Sequence, residues 1–162
     1  ANLFTRECLA AVEGWDESLA SSQDYDLMFR LLRTGSNVVI DPMPLTEMYD
    51  RVGSVSKVPS VARHQRFIDL RVQILDFLAS RDMLTPERED AAKWAIHSAT
   101  RWLYHIDGRE AVSLHNRLLG NRYVPRQSPR SYRLLCRTLG FRAAECAYGC
   151  LQRSRRAGGR DW

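Results

Sequence analysis

The sequence predicts an α/β front over residues 1–58 followed by a mostly α-helical back over residues 59–162. Three observations carry this. Before residue 58, short apolar runs broken by Gly and Pro alternate with helix-spaced segments. After Pro59 the apolar period is helical throughout. Start and stop residues such as Thr85-Pro86-Glu87 and Gly120-Asn121 then divide the back into separate helices.

In chain order, Asn2–Thr5 reads as the end of a strand. Arg6–Val12 has helical spacing and stops at Gly14, a residue suited to a helix C-terminus. Trp15-Asp16-Glu17-Ser18-Leu19 is a polar loop with an aromatic anchor. Ser21 or Ser22 can cap the next helix, and Ser21 with Asp24 three residues on gives a start like a capping box. Asp24–Thr34 is dense in Leu27, Met28, Phe29, Leu31 and Leu32, so it is a helix buried on much of its surface and ended by Gly35. Val38-Val39-Ile40 reads as a short buried strand stopped by Pro42, and Leu45–Arg51 as another.

In the back, Val61–Ser80 is an amphipathic helix with Phe67, Leu70, Ile74, Phe77 and Leu78 on one side. Thr85 caps the next helix, with Pro86 at its first position and Glu87 near the positive end of its dipole. That helix runs to about Ile106. Glu110–Leu119 is a shorter helix. Val124–Pro129 is a linker with two prolines. Tyr132 to about Arg153 is one last helix, weakened by Gly140 and Gly149, before a frayed tail.

Composition bounds the answer. The 162 residues are 44% hydrophobic and 27% charged, enough to bury a core and too apolar for a disordered chain. No apolar run reaches the roughly 18 residues of a membrane span. Ala1 is not Met, and the first residues lack a signal pattern, so the chain is expected to begin within a longer protein. Charge is uneven: residues 1–80 hold 8 Lys/Arg and 11 Asp/Glu, and residues 81–162 hold 16 and 8. From Arg117 onward 11 basic residues face only Glu145 and Asp161. Such an end suits a solvated helical surface, or contact with an acidic partner, nucleic acid or a membrane face. No zinc-finger or Gly-rich RNA-binding signature supports nucleic acid. Cys8, Cys136, Cys146 and Cys150 are too few for a disulfide scaffold and form no zinc pattern, so they read as reduced, mostly packed thiols of a cytoplasmic protein.

One segment of the front could carry chemistry. Trp15-Asp16-Glu17 and Gln23-Asp24-Tyr25-Asp26 crowd four carboxylates and two aromatics together. Asp24 sits at a helix N-terminus, where the dipole favours its ionised form. A carboxylate there can take a proton from a substrate hydroxyl, or can simply stabilise the first turn.

At these residues the chain resembles a known family. Phe4-x-Arg6-x-x-Leu9-x-x-Val12-x-Gly14-Trp15-Asp16-Glu17-x-Leu19, then Gln23-Asp24-Tyr25-Asp26-Leu27-x-x-Arg30-Leu31, is similar to the second half of family 2 glycosyltransferases of GT-A fold. The stretch from Leu45-Thr46 to Gly53-Ser54-Val55-Ser56 is similar to the loop after their last core strand. The likeness covers residues 2–57 and includes order and spacing. Residues 60–162 carry no assignable motif.

The resemblance implies an incomplete GT-A, Rossmann-like half-domain with exposed sheet edges, from an inverting enzyme that transfers sugar from a nucleotide-sugar to an acceptor hydroxyl. Asp24 matches the catalytic base. Trp15 and Asp16 match the loop lining the acceptor side, with Trp15 either a buried anchor of that loop or a stacking surface for sugar. Gln23 replaces a frequent Glu beside the base. Asp26 and Glu17 read as structural. Arg51 stands where the family often has His; it cannot ligate a cation but could pair with a diphosphate. The paired-Asp motif that carries divalent Mg or Mn in the full-length family is missing. Asp24-Tyr25-Asp26 has the letters but stands at a helix start, so this chain alone is expected to bind no metal. Nucleotide-sugar and a hydroxyl acceptor, lipid-linked if the basic end meets the inner membrane face, are the implied partners. The reading from a different class is a non-catalytic helical interaction module.

Overall fold

A computed structural model describes residues 4–19, 21–39 and 60–158, with side chains through residue 150. Seven helices form among these residues. They are α1 (Arg6–Ala11), α2 (Gln23–Arg33), α3 (Val61–Ser80), α4 (Pro86–Tyr104), α5 (Gly108–Leu118), α6 (Arg130–Leu139) and α7 (Phe141–Gly158).

The α/β expectation is overturned: no strand occurs among the described residues. Phe4 and Thr5 lead directly into α1, with Thr5 as its N-cap. Val38 and Val39 have no regular structure and are exposed, Val39 almost completely at 92%. A β-branched run supplies propensity, but a strand exists only when a neighbour takes its N–H and C=O groups. Val38 and Val39 have no such neighbour among the described residues. The GT-A-like half-domain is therefore not what residues 4–39 form; they form two helices and a loop. The expected strand at Leu45–Arg51 and the Gly53–Ser56 loop lie outside the described residues.

The chain divides into two compact units, residues 1–66 and 67–162, with the boundary inside α3. In the first unit, α1 ends in a paired C-terminal motif. Glu13 N–H donates to Ala10 O at 3.2 Å and Gly14 N–H to Leu9 O at 2.9 Å. Glu13 takes φ 59° and Gly14 φ 72°, so the first left-handed residue is a glutamate one place before the expected glycine. Helix α2 buries Leu27, Phe29 and Leu31. Ser60 opens α3, its Oγ accepting from Arg63 N at 3.3 Å.

The second unit follows its start and stop residues closely. Thr85 Oγ1 accepts from Arg88 N at the head of α4, as the Thr-Pro-Glu sequence requires. Asp107 Oδ1 accepts from both Arg109 N and Glu110 N at 3.0 Å, which starts α5 two residues before Glu110. Helix α5 packs on α4 and α7, and α6 packs on α7. The expected single last helix is two. Gly140 breaks it with φ 84°, and Phe141 N–H donates across to Asn121 O at 2.8 Å. Val124, Tyr132, Cys136, Phe141 and Ala144 form the buried centre, with Tyr104, Val112, Leu135 and Tyr148 packed around it. No helix among the described residues is long and apolar enough to cross a membrane.

Candidate functional site

The loop between α1 and α2 and the first turn of α2 hold the candidate residues Trp15, Asp16, Gln23 and Asp24. The left-handed pair Glu13-Gly14 turns the chain out of α1. Trp15 follows, 43% exposed, its ring edge-on to Phe4 at 6.0 Å. It is thus anchored at one edge and open to solvent. Asp16 closes a local turn: its Oδ1 accepts from Ser18 Oγ at 2.6 Å and Ser18 N at 2.9 Å. Those two hydrogen bonds, with a smaller contribution from the Arg30 charge, hold its carboxyl below the usual carboxylate range. Gln23 Nε2 donates back to Leu19 O at 2.6 Å, which ties the helix start to the loop.

The expected capping box does not form. The N-cap is Ser22, in a left-handed conformation at φ 64° and without a side-chain cap. Ser21 Oγ instead accepts from Arg66 Nε and Nη2 at 3.1 and 3.0 Å. Asp24 is consequently relieved of capping duty. It is exposed in the first turn of α2, and no described residue hydrogen-bonds its carboxylate. Asp26 is committed elsewhere, its Oδ2 accepting from Arg30 Nε at 2.7 Å. Arg30 also donates through Nη1 to Val12 O at 2.5 Å, so one side chain fastens α2 to the end of α1. Its Nη2 is buried without a hydrogen-bond partner among the described residues. Glu17 is exposed with no described hydrogen bond. Arg51 lies outside the described residues.

Among the described residues no divalent-metal site is assembled. No group of three or more His, Cys, Asp or Glu could hold one among the described residues. Asp24 and Asp26 lie two apart on a helix, so they point about 200° apart, and Asp26 is already ion-paired.

No protein-family model, curated protein or solved structure matches the chain.

A second polar cluster lies inside residues 67–162, where sequence reasoning marked nothing. His97 on α4 and His115 on α5 are 2% and 0% exposed, with His97 Nδ1 and His115 Nε2 3.1 Å apart. The His115 ring stacks on Phe141 at 3.8 Å. Their outer nitrogens, His97 Nε2 and His115 Nδ1, are buried without hydrogen-bond partners among the described residues. Burial pushes His97 down to about 3, helped by the His115 and Arg101 charges, and burial alone pushes His115 down to about 4. Both rings are neutral at neutral pH, and one N–H donates to the other ring's lone pair.

Alongside, Glu145 is 2% exposed and accepts twice on one oxygen, from Arg101 Nε at 2.5 Å and from the Tyr132 hydroxyl. Arg101 stacks over the Tyr132 and Tyr148 rings at 4.5 and 5.5 Å. Burial alone would lower the Arg101 pKa; the charge and hydrogen bond of Glu145 outweigh it and raise it. Tyr132 is also raised, by burial and then by Glu145. A signal for this cluster was available: Glu145 is the only acid between Glu110 and Asp161. For the histidines the signal is position, since His115 lies four residues after the buried Ala111 and next to Leu114 on the apolar face of α5.

Proposed function

We infer that residues 4–39 carry the acceptor-side element of an inverting glycosyltransferase that uses a nucleotide-sugar, with Asp24 as its base. The observation that carries this is the state of Asp24. Of the four acids in the segment, Asp16 is bound by Ser18 and Asp26 by Arg30. Asp24 and Glu17 are left open, and Asp24 alone stands at a helix N-terminus. Its neighbours Trp15 and Asp16 are exposed on the loop that precedes it. The order helix, Gly-Trp-Asp-Glu loop, Gln-Asp helix start falls on the residues that bear the family likeness.

In the chemistry this reading assigns, the acceptor hydroxyl loses its proton to the Asp24 carboxylate as its oxygen attacks the anomeric carbon. A new C–O bond forms as the bond to the nucleoside diphosphate breaks, with inversion. The proton ends on Asp24 and the electron pair on the departing phosphate oxygen. The exposed Trp15 edge offers a sugar a stacking surface.

The test is transfer from a nucleotide-sugar by the protein containing this chain. Asp24→Asn is expected to lower kcat by about a thousandfold with only a small drop in melting temperature, because the wild-type carboxylate has no described hydrogen-bond partner to lose and gives up only its favourable place in the helix dipole. Turnover equal to wild type in Asp24→Asn refutes the assignment. Glu17→Gln, the other open acid, is expected to keep most of its activity.

A further inference from the structure

We propose that the outward face of α6 is a docking surface for an anionic lipid bilayer. Residues 111–144 contain seven arginines, Arg117, Arg122, Arg126, Arg130, Arg133, Arg137 and Arg142, and no Asp or Glu. Glu145, the next acid, is buried and spoken for by Arg101 and Tyr132. Positive charge in this stretch is therefore uncompensated from within it.

Helix α6 organises part of that charge. Tyr132 and Cys136 are buried at 0% exposure, four residues apart, and fix the inward side. Arg130, Leu134 and Arg137 occupy the opposite side by the helical repeat, and Arg133 stands on the flank between the two sides. Arg130 and Arg137 are exposed, and Arg133 is half-buried with Nη1 donating to Arg126 O at 3.1 Å. No described acid pairs with any of the three. Leu134 stands between Arg130 and Arg137 at a spacing of four and three, 65% exposed. Arg130 and Arg133 also lie in the first turn, where the helix dipole disfavours cations and no acid offsets them.

A large aliphatic side chain held open among arginines matches a headgroup region. Guanidinium groups reach the phosphates while their stems and Leu134 enter the acyl boundary. A nucleic-acid backbone satisfies the charges but offers Leu134 no apolar medium, so the leucine favours lipid.

The experiment is co-sedimentation of the full chain with phosphatidylcholine vesicles, with and without phosphatidylglycerol, at low salt. Binding is expected only to the anionic vesicles and is expected to weaken as salt rises. Each arginine is expected to contribute about fivefold, so Arg130→Gln, Arg133→Gln and Arg137→Gln together should cost roughly a hundredfold. Leu134→Ser, which leaves the charge intact, should weaken vesicle binding several-fold and leave binding to duplex DNA unchanged. Far-UV circular dichroism checks that each variant keeps its helices. Wild-type failure to bind anionic vesicles overturns the proposal, as does full binding by the triple variant. Equal loss by Leu134→Ser on vesicles and on DNA, or no loss on either, overturns the lipid assignment.

Discussion

Lowering pH from about 7 to about 5 is expected to destabilise residues 67–162 through two side chains. His97 and His115 are neutral in the fold, depressed to about 3 and about 4 from an ordinary value of 6.5. In the unfolded chain both are free to protonate near 6.5. A depressed folded pKa means that the unfolded state binds more protons below that value. The stability contribution is therefore fully present above about pH 6.5 and falls away as pH drops toward 4 and 3. At about pH 5 each histidine favours the unfolded state by roughly 2 kcal/mol, or about 4 kcal/mol for the pair. That is a large share of the stability of a small domain. The geometry gives the same sign, because protonating both rings would set two N–H groups face to face across 3.1 Å. The assay is urea unfolding followed by circular dichroism at several pH values, with a His97→Gln variant beside wild type. Glutamine removes one titration while keeping a polar group near His115, so its pH dependence should be about half as steep. An unchanged urea midpoint between pH 7 and 5, or an equal slope in the variant, would refute this account.

Replacing Glu145 with Gln leaves the Arg101 guanidinium and the Tyr132 hydroxyl facing a neutral amide, and a loss of roughly 3 kcal/mol in unfolding free energy is expected by urea melts. Gly140→Ala is expected to lose about 1–3 kcal/mol, because φ 84° disfavours any side chain and a Cβ there would stand 2.5 Å from Asn121 Oδ1. A melting temperature equal to wild type would refute both the backbone and the steric contribution. Thr85→Ala removes the acceptor for Arg88 N at the head of α4 and should cost about 1 kcal/mol, read as a lower urea midpoint.

Much of the back was legible because its signals are local. The cap at Thr85 and the stop at Gly120 depend on a few neighbouring residues, and the structure uses both. Gly140 and Gly149 looked alike in sequence. Only Gly140 breaks the helix, because a backbone acceptor on Asn121 waits for the Phe141 N–H. In the front, Val38-Val39 carried strand propensity, but pairing is non-local and a three-residue run cannot specify its neighbour. Two helices end through left-handed residues that are not glycine, Glu13 and Asp82, so glycine marked α1's end one place late. In the candidate site, the residue types and spacing were readable. What each carboxylate does was not, since that depends on Ser18 binding Asp16 and Arg30 reaching both Asp26 and Val12. The His97–His115 pair lies 18 residues apart in sequence and could be seen only once α4 and α5 packed.

The break at Gly140 has a consequence for how the interior assembles. On an uninterrupted helix, Tyr132 and Glu145 would be separated by about 20 Å along the axis. In the fold their side chains share a hydrogen bond. The whole Arg101–Glu145–Tyr132 arrangement thus exists only when the α6–α7 corner is closed. A chain whose two segments are helical but still splayed leaves the Tyr132 hydroxyl and the Glu145 carboxylate apart in water, and the Arg101–Glu145 pair without its second donor. Corner closure and completion of that buried hydrogen-bond network are then a single event. Helix content measured in the far ultraviolet can return before tyrosine absorbance does, and the lag between them times the closing of that corner.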